Sequence, residues 1–297
     1  MRVFLAGTAS RKWVLYENLS YRWKREEPDS FENARKREID GDAAGVADEN
    51  ISCRRSSVEG GQDRIYDESY KTYRPYILES FYYADADTER LLPYFGDFLL
   101  DSGAFTFMQS SKSHVNWEEY LERYADFINR NKVEKFFELD IDSVVGYSNV
   151  LRYRKRLEQL TGKQCIPVWH KSRGIEEYKK HCIDYSYVAI GGYVVKEITP
   201  KEYSHFPAMI EFAHKNKSKV HCLGYTNLAN LRKHHFDSVD STAWTTGNRF
   251  GHIYRFDGKT IKKVEVPKGK RLADPKRVAL NNFNEWIKFQ KYAETHL

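Results

Sequence analysis

The sequence predicts a parallel α/β fold, a (β/α)8 TIM barrel, from three observations. Eight short apolar runs recur along the chain, and most are continuous rather than alternating, as in strands buried on both faces. Helical patterns separate most of these runs, and strand–helix alternation requires right-handed crossovers and a parallel sheet. No glycine-rich dinucleotide fingerprint follows the first run, which disfavours the alternative, a doubly wound open sheet. Eight parallel strands then favour a closed barrel.

The predicted strands are short runs in which apolar residues predominate. They are Val3–Gly7, Tyr76–Ser80, Phe98–Ser102, Phe136–Asp140, Cys165–His170, Tyr187–Gly191, Lys219–Gly224 and Phe236–Thr242.

Helices are predicted in most of the intervals. Asn116 is a predicted N-cap for a helix with apolar residues at helical spacing, and Gly162 ends the helix predicted over 149–160. Thr199 and Pro200 are typical of an N-cap followed by the first helical residue. Shorter helices are predicted over 175–182 and 227–233, and an amphipathic C-terminal helix over 278–295.

The 297 residues suit one domain, with two segments outside the repeat. Residues 24–72 are rich in charge, glycine and serine, which predicts a long insertion after strand 1, in part disordered. Residues 258–277 carry eight lysines and arginines. This basic segment is interpreted either as a solvated loop or as a rim that contacts phosphates.

Charge and cysteine content restrict the class of protein. The formal net charge of +6 permits a nucleic-acid partner without requiring one. The four cysteines form no CxxC pair, and three lie in or near apolar runs, which predicts buried free thiols. Neither a secretory signal nor a membrane-spanning run is present, so a cytoplasmic protein without membrane contact is expected.

Acidic residues stand at several predicted strand ends, where a barrel of this type has its active site. They include Asp101, Asp140, Asp142 and the aspartates of the run Asp237–Asp240, with His170 after strand 5. Crowded carboxylates raise one another's pKa and are typical of catalytic or binding sites. Such a set serves either as nucleophile and acid/base at an anomeric carbon or as ligands of a divalent metal. No HxH or paired-cysteine spacing supports zinc.

In order along residues 98–251, these strand ends resemble motifs of the tRNA-guanine (queuine/archaeosine) transglycosylase superfamily. The hexapeptide from Leu100 to Phe105 resembles the DSGGF motif, with alanine for the second glycine, and Phe236–Val239 resembles FDCV. The resemblance implies that Asp101 is the general acid/base and Asp237 the covalent nucleophile.

The resemblance also implies a set of substrate-binding residues. Asp140 corresponds to the aspartate that reads the guanine edge, with Asp142 as the alternative, and His170 replaces a base-reading glutamine. The remaining implied contacts lie in motifs similar to DSGGF, GGL and MG and in a basic turn near the phosphate; they are Ser102, Gly191, Gly192, Gly224 and Arg249.

Two departures from the superfamily's tRNA enzymes affect the expected substrate. Those enzymes carry a CxCxxC zinc motif after the nucleophile strand, whereas this chain has no cysteine after Cys222. No length remains for an RNA-binding C-terminal domain. The chain is therefore most similar to the phage-type 7-deazaguanine DNA transglycosylases, which implies DNA rather than tRNA as the nucleic-acid partner, guanine or a 7-deazaguanine as the base, and neither metal nor cofactor.

Two other functions remain open. One is a nucleosidase or glycosidase-like barrel acting on small nucleosides, which needs the same carboxylate pair but no phosphate contacts. The other is a non-catalytic homologue that binds a base or nucleotide.

Overall fold

A computed structural model describes residues 1–18, 73–103, 106, 115–225, 227–247, 252–265 and 274–297. Its main element is a seven-stranded sheet in the order β3-β2-β1-β7-β6-β5-β4, in which every pair is parallel. The insertion predicted over 24–72 lies outside the described residues. The strands are β1 (Arg2–Ala6), β2 (Tyr76–Ser80), β3 (Asp97–Asp101), β4 (Val168–Trp169), β5 (Tyr187–Ile190), β6 (Lys219–Cys222) and β7 (Ser238–Ser241).

Residues 135–138 connect the two edge strands of this sheet. Phe136 forms a parallel bridge with Leu100, and Phe137 forms one with Ile166. The N–H of Phe137 donates to the carbonyl of Leu100 at 3.0 Å, and the N–H of Glu138 donates to the carbonyl of Ile166 at 3.1 Å. Because one segment bonds to both edges, the sheet is curled. The strand predicted over 136–140 thus forms only two isolated bridges, one to each edge of the curled, seven-stranded parallel sheet.

Apolar residues cover both faces of the curled sheet, because side chains alternate along each strand. One cluster fills the interior of the curl, and the larger core packs the other face against the helices. The interior cluster contains Phe4, Ala6, Tyr76, Leu78, Leu99, Phe137, Ile166, Val168 and Ala189. The core under the helices takes the alternate strand residues Val3, Leu5, Ile77, Val188, Ile190, Val220, Cys222 and Val239.

The observed helices confirm the predicted caps. The Asn116 side chain accepts from the N–H of Glu119 at 3.3 Å, Gly162 ends its helix at φ 66°, and Thr199 forms a capping box with Glu202. Residues 12–18 are also helical. The helices are α1 (Ala86–Leu91), α2 (Trp117–Arg130), α3 (Asp142–Val145), α4 (Tyr147–Thr161), α5 (Ile175–Asp184), α6 (Phe206–Lys215), α7 (Leu228–Leu231) and α8 (Pro275–His296).

An antiparallel hairpin of β8 (His252–Phe256) and β9 (Ile261–Glu265) lies outside the parallel sheet. β9 lies in the basic segment 258–277, for which the sequence predicts either a solvated loop or a rim that contacts phosphates. Helix α8 packs on this hairpin and on β1. Its Gln290 side chain accepts from the N–H of Tyr76 at 3.0 Å, and Asn282 accepts from the N–H of Tyr254 at 2.8 Å. The C-terminal helix therefore joins the hairpin to the sheet.

Two further observations concern the described residues as a whole. Cys165, Cys182 and Cys222 are buried free thiols, as predicted. None of the described helices combines the length and the apolar character needed to cross a membrane.

Candidate active site

Three carboxylates lie at the C-terminal edge of the sheet. Asp101 is the last residue of β3, Asp140 follows the bridged segment, and Asp240 lies in the second half of β7. The charges of Asp140 and Asp240 both raise the pKa of Asp101, so the three groups are within electrostatic reach of one another. The structure therefore brings the predicted Asp101 and Asp140 together and adds Asp240.

Asp101 has a raised proton affinity. Burial raises its pKa to about 6, the N–H of Gly103 opposes the rise, and the neighbouring carboxylates add to it. That N–H donates to Oδ2 at 2.9 Å. Gly103 has φ 79°, and a Cβ there would lie 2.7 Å from Cβ of Tyr82, so the turn that supplies the donor requires glycine. A carboxyl group with a pKa near 6 can give and take a proton close to neutrality.

Asp237 does not reach this edge. It precedes the first residue of β7, and its carboxylate accepts from the N–H of Val220 at 2.8 Å and contacts Nε2 of His214 at 2.9 Å. Residues three apart on a strand point to opposite faces and are separated by about 10 Å. Asp237 and Asp240 therefore differ in both face and end of the sheet. The structure therefore does not bring Asp237 together with Asp101, because the motif match placed the predicted nucleophile at the start of the strand and Asp101 lies at the end of its own.

Asp240 occupies the position predicted for Asp237. Its side chain is 9% exposed, and Oδ1 accepts from the N–H of Gly224 at 2.6 Å and lies 3.2 Å from Nε2 of His221. Among the described residues, none donates to Oδ2. Gly224, predicted to contact substrate, instead supports this carboxylate. Asp240 thus has one oxygen that accepts from two groups and one oxygen without a donor among the described residues.

His170 lies between two carboxylates. Its Nε2 is 2.8 Å from Oδ2 of Asp140, and its Nδ1 is 2.9 Å from Oε2 of Glu197. Both ring nitrogens must donate to make these contacts, which requires the imidazolium form. Burial lowers the pKa of His170, but the bonds to Asp140 and Glu197 outweigh it and raise the pKa to about 9. His170 is therefore a cation next to Asp140.

The glycine pair after β5 provides space for this arrangement. A Cβ on Gly191 would lie 2.8 Å from Cε1 of His170, and a Cβ on Gly192 would lie 2.6 Å from Oε2 of Glu197. Gly192 also has φ 80°. The two glycines were predicted to contact the base, and the contacts seen here are with the histidine and its carboxylate partner.

Arg173 lies between Asp140 and Asp142 and contacts both. Its side chain is 3% exposed, and its Nη2 lies 2.9 Å from Oδ2 of Asp142 and 3.3 Å from Oδ1 of Asp140. Nη1 donates to Oε1 of Glu138 at 3.2 Å. One guanidinium therefore contacts three carboxylates. Asp142 begins α3, whereas Asp140 contacts His170 and its charge raises the pKa of Asp101. The structure therefore places Asp140 rather than Asp142 beside the other site residues.

Ser102 and Arg249 complete the predicted set. Ser102 is fully buried, and its carbonyl accepts from the hydroxyl of Tyr120 at 2.6 Å. Its own hydroxyl, like that of Ser80 at the end of β2, is buried without a partner among the described residues. Arg249 lies outside the described residues, as do Ala104 and Phe105 of the first motif.

The sequence did not predict the contacts of Asp240, Glu197 and Arg173 in this arrangement. For Asp240 a signal was available: it stands nearer the C-terminal end of its run, the position that marks the other site residues. Glu197 lies in a loop and Arg173 in the 3-10 turn Lys171–Arg173, neither with a recognisable sequence pattern, and only the fold brings them to His170 and Asp140.

Among the described residues, no group of three or more His, Cys, Asp or Glu side chains could hold a metal ion. The arrangement supports acid–base and nucleophilic chemistry by carboxylates.

Comparisons with known proteins identify no relative, so a proposed function has to be argued from the geometry of the site. No family model matches the chain, and no curated protein has a significantly similar sequence.

Proposed function

We propose that the protein is a base-exchange transglycosylase that replaces guanine in a nucleic acid with a 7-deazaguanine derivative. The observation that carries the proposal is the pairing of Asp101 with Asp240 at one edge of the sheet. Burial raises the pKa of Asp101 to about 6, so this group can protonate a leaving base, while the donors to Asp240 among the described residues bond to Oδ1 and leave Oδ2 for attack. Cleavage of a glycosidic bond with a covalent intermediate needs such a pair, one group as acid/base and the other as nucleophile.

We further propose that the curled sheet is a complete (β/α)8 barrel. The segment 136–140 then serves as the fourth strand, because its bridges to Leu100 and Ile166 connect β3 to β4. This architecture supports the location of the site, since barrel enzymes react at the C-terminal ends of their strands.

The reaction takes place in two steps. Oδ2 of Asp240 attacks C1′ of the target nucleotide, the bond from C1′ to the guanine nitrogen breaks, and Asp101 gives its proton to the departing base. The incoming 7-deazaguanine loses a proton to Asp101, and its nitrogen attacks C1′ and releases Asp240. Asp240 replaces Asp237 as nucleophile, and the pattern Val239-Asp240-Ser241 preserves the apolar–Asp–small order of the family motif three residues later.

Asp140 is the proposed reader of the base. A carboxylate only accepts, and the Watson–Crick edge of guanine offers the N1–H and the 2-amino group as donors. His170 holds Asp140 from one side and Arg173 from the other, so the direction of its acceptor oxygens is set before the base arrives.

DNA is favoured over tRNA as the acceptor, on the resemblance to the phage-type enzymes and the lack of the zinc motif. The net charge of +6 is compatible with a polyanion. Arg249 and the basic segment 258–277 are the proposed phosphate contacts.

The test is incorporation of labelled guanine into single-stranded DNA, duplex DNA and tRNA. The wild-type protein should label DNA, and denaturation of a mixture lacking free base should trap a covalent protein–DNA ester. Asp240→Asn should lose both signals, whereas Asp237→Asn, a matched control on the same strand, should keep them. Release of base from free nucleosides alone would support the nucleosidase alternative, and absence of both exchange and adduct with every acceptor would overturn the proposal.

A further inference from the structure

We propose that His221 is a positioning residue that aims the Asp240 carboxylate, with Ser238 and Tyr187 fixing the tautomer of its ring. The functional part of this inference rests on the proposed transglycosylase activity. The geometric part concerns only the hydrogen bonds inside the curled sheet.

His221 is in β6 and is fully buried. Its ring lies 5.4 Å from that of Phe137 and 6.2 Å from that of Phe4, measured between centroids. Both phenylalanines belong to the interior cluster, so the histidine stands inside the curl, below the C-terminal edge. An imidazole in such an apolar setting must have its nitrogens bonded or lose stability.

Both ring nitrogens have partners on β7. Nδ1 is 2.6 Å from Oγ of Ser238, Nε2 is 3.2 Å from Oδ1 of Asp240, and the hydroxyl of Tyr187 contacts the same serine oxygen. Ser238 pairs with His221 in the register of the two strands. Since Ser238 and Asp240 are two residues apart, they face the same side, and one ring can reach both.

With an ionised Asp240 and a neutral imidazole, these hydrogen bonds can run in only one direction. The carboxylate can only accept, so Nε2 must carry the proton. In the neutral ring Nδ1 is then an acceptor, the serine hydroxyl donates to it, and the serine oxygen accepts from Tyr187. Every group in the series from Tyr187 to Asp240 is satisfied without conflict.

This arrangement determines which oxygen of Asp240 reacts. Oδ1 receives two donors, the ring of His221 and the N–H of Gly224 at 2.6 Å. Rotation of the carboxylate would break both bonds. Oδ2 is therefore held toward the substrate, and the alignment that nucleophilic attack needs exists before binding.

Two substitutions at His221 distinguish the effect of its hydrogen bond to Asp240 from the effect of its packing. His221→Phe keeps a ring of similar size but removes both nitrogens, whereas His221→Gln retains a side-chain amide that can donate to Asp240. We expect His221→Phe to slow formation of the covalent adduct by about 10- to 100-fold, the effect of losing one hydrogen bond to a charged group. KM for the nucleic acid should change by less than about threefold, because the substrate does not touch His221. His221→Gln should recover most of the rate.

The matched control is His234→Phe. His234 is also buried, and its Nδ1 contacts the hydroxyl of Tyr225 at 2.9 Å, away from the three carboxylates. This variant should form adduct at the wild-type rate. Ser238→Ala, which leaves the imidazole in place, provides a second variant should His221→Phe fail to fold, and a slower adduct rate is expected there as well. Rates within twofold of wild type for folded His221→Phe or Ser238→Ala would overturn the positioning role.

A measurement without substrate tests the geometric part alone. ¹⁵N NMR of labelled histidines in the wild-type protein should show His221 as the neutral Nε2–H tautomer, and Ser238→Ala should change its nitrogen shifts. If the protein shows this tautomer but neither exchange nor adduct, the hydrogen bonds of His221 are supported and the proposed transglycosylase function is refuted. An Nδ1–H tautomer would overturn the inference, whatever the activity.

Discussion

The two ends of strand β7 carry similar residues in different surroundings. Asp237 precedes the strand, bonds to a backbone N–H and to exposed His214, and its side chain is 29% exposed. Asp240 lies three residues later, is 9% exposed and faces the interior of the curled sheet. A resemblance between short motifs does not distinguish the two, because both aspartates follow an apolar residue and precede serine. The end and the face of the strand decide which aspartate can share a site with Asp101.

The largest expected effect is on the nucleophile. Asp240→Asn should reduce guanine exchange by on the order of 10⁴-fold or more, since removal of a nucleophile leaves only binding and electrostatic contributions. Asp237→Asn should stay within about threefold of wild type, because its side chain lies at the other edge. Exchange of labelled guanine measures both. The opposite ranking would return the nucleophile to Asp237 and would falsify the assignment made from the geometry.

The next effect concerns Asp101, with an expected loss of about 10²- to 10⁴-fold in Asp101→Asn. Burial raises the pKa of Asp101 to about 6, and departure of the base requires the protonated form. The single-turnover rate of adduct formation should therefore be highest below pH 6 and fall as the pH rises through that value. Asp101→Asn should lack this decline. A wild-type profile that is flat between pH 5 and pH 8 would remove Asp101 from the role of acid.

A smaller effect is expected from the cation at His170. Its folded-state pKa of about 9 lies above the ordinary value of 6.5, so the stabilisation is complete below pH 6.5 and is lost as the pH rises toward 9. The free energy of unfolding of wild type should exceed that of His170→Gln by on the order of 1–3 kcal/mol at pH 6, and the difference should shrink by pH 9.5. Urea titration at several pH values measures it. His214→Gln, at the other edge, is the control. Equal pH dependence in all three proteins would contradict the charged contact of His170 with Asp140 and Glu197.

The smallest effect is on stability at the edge that carries Asp237. Asp237→Asn weakens the bond to the N–H of Val220 and the contact with His214. We expect a loss of about 1 kcal/mol in the free energy of unfolding, typical of one part-exposed hydrogen bond. Urea unfolding should show a lower midpoint with an unchanged slope. Stability equal to wild type would mean that water replaces these bonds without loss.

Much of the architecture was predictable because it depends on local pattern. Continuous apolar runs marked seven strands that are buried on both faces, and Asn116, Gly162 and Thr199 marked helix ends, since a cap needs only its own side chain and the nearest backbone. Strand ends such as Asp101, Asp140 and His170 were also expected to converge, and the structure brings them together.

Other features depended on pairing between distant residues. Residues 136–140 form only two bridges, and β9, which lies in the basic segment 258–277, pairs with β8 in a hairpin. Gly191 and Gly192 indicated a close approach, but the sequence did not indicate that the neighbours would be His170 and Glu197. Each of these outcomes depends on a partner that lies far away along the chain.

By itself, the sequence determined a chain of parallel strands and helices with acidic residues at the strand ends, because periodicity and capping are properties of neighbouring residues. The tertiary structure alone decided that Asp240 rather than Asp237 meets Asp101, and that His170 is charged between Asp140 and Glu197. The physical reason is that side-chain direction alternates at every residue of a strand. A shift of three positions in a motif therefore moves a carboxylate to the other face and the other end of the sheet.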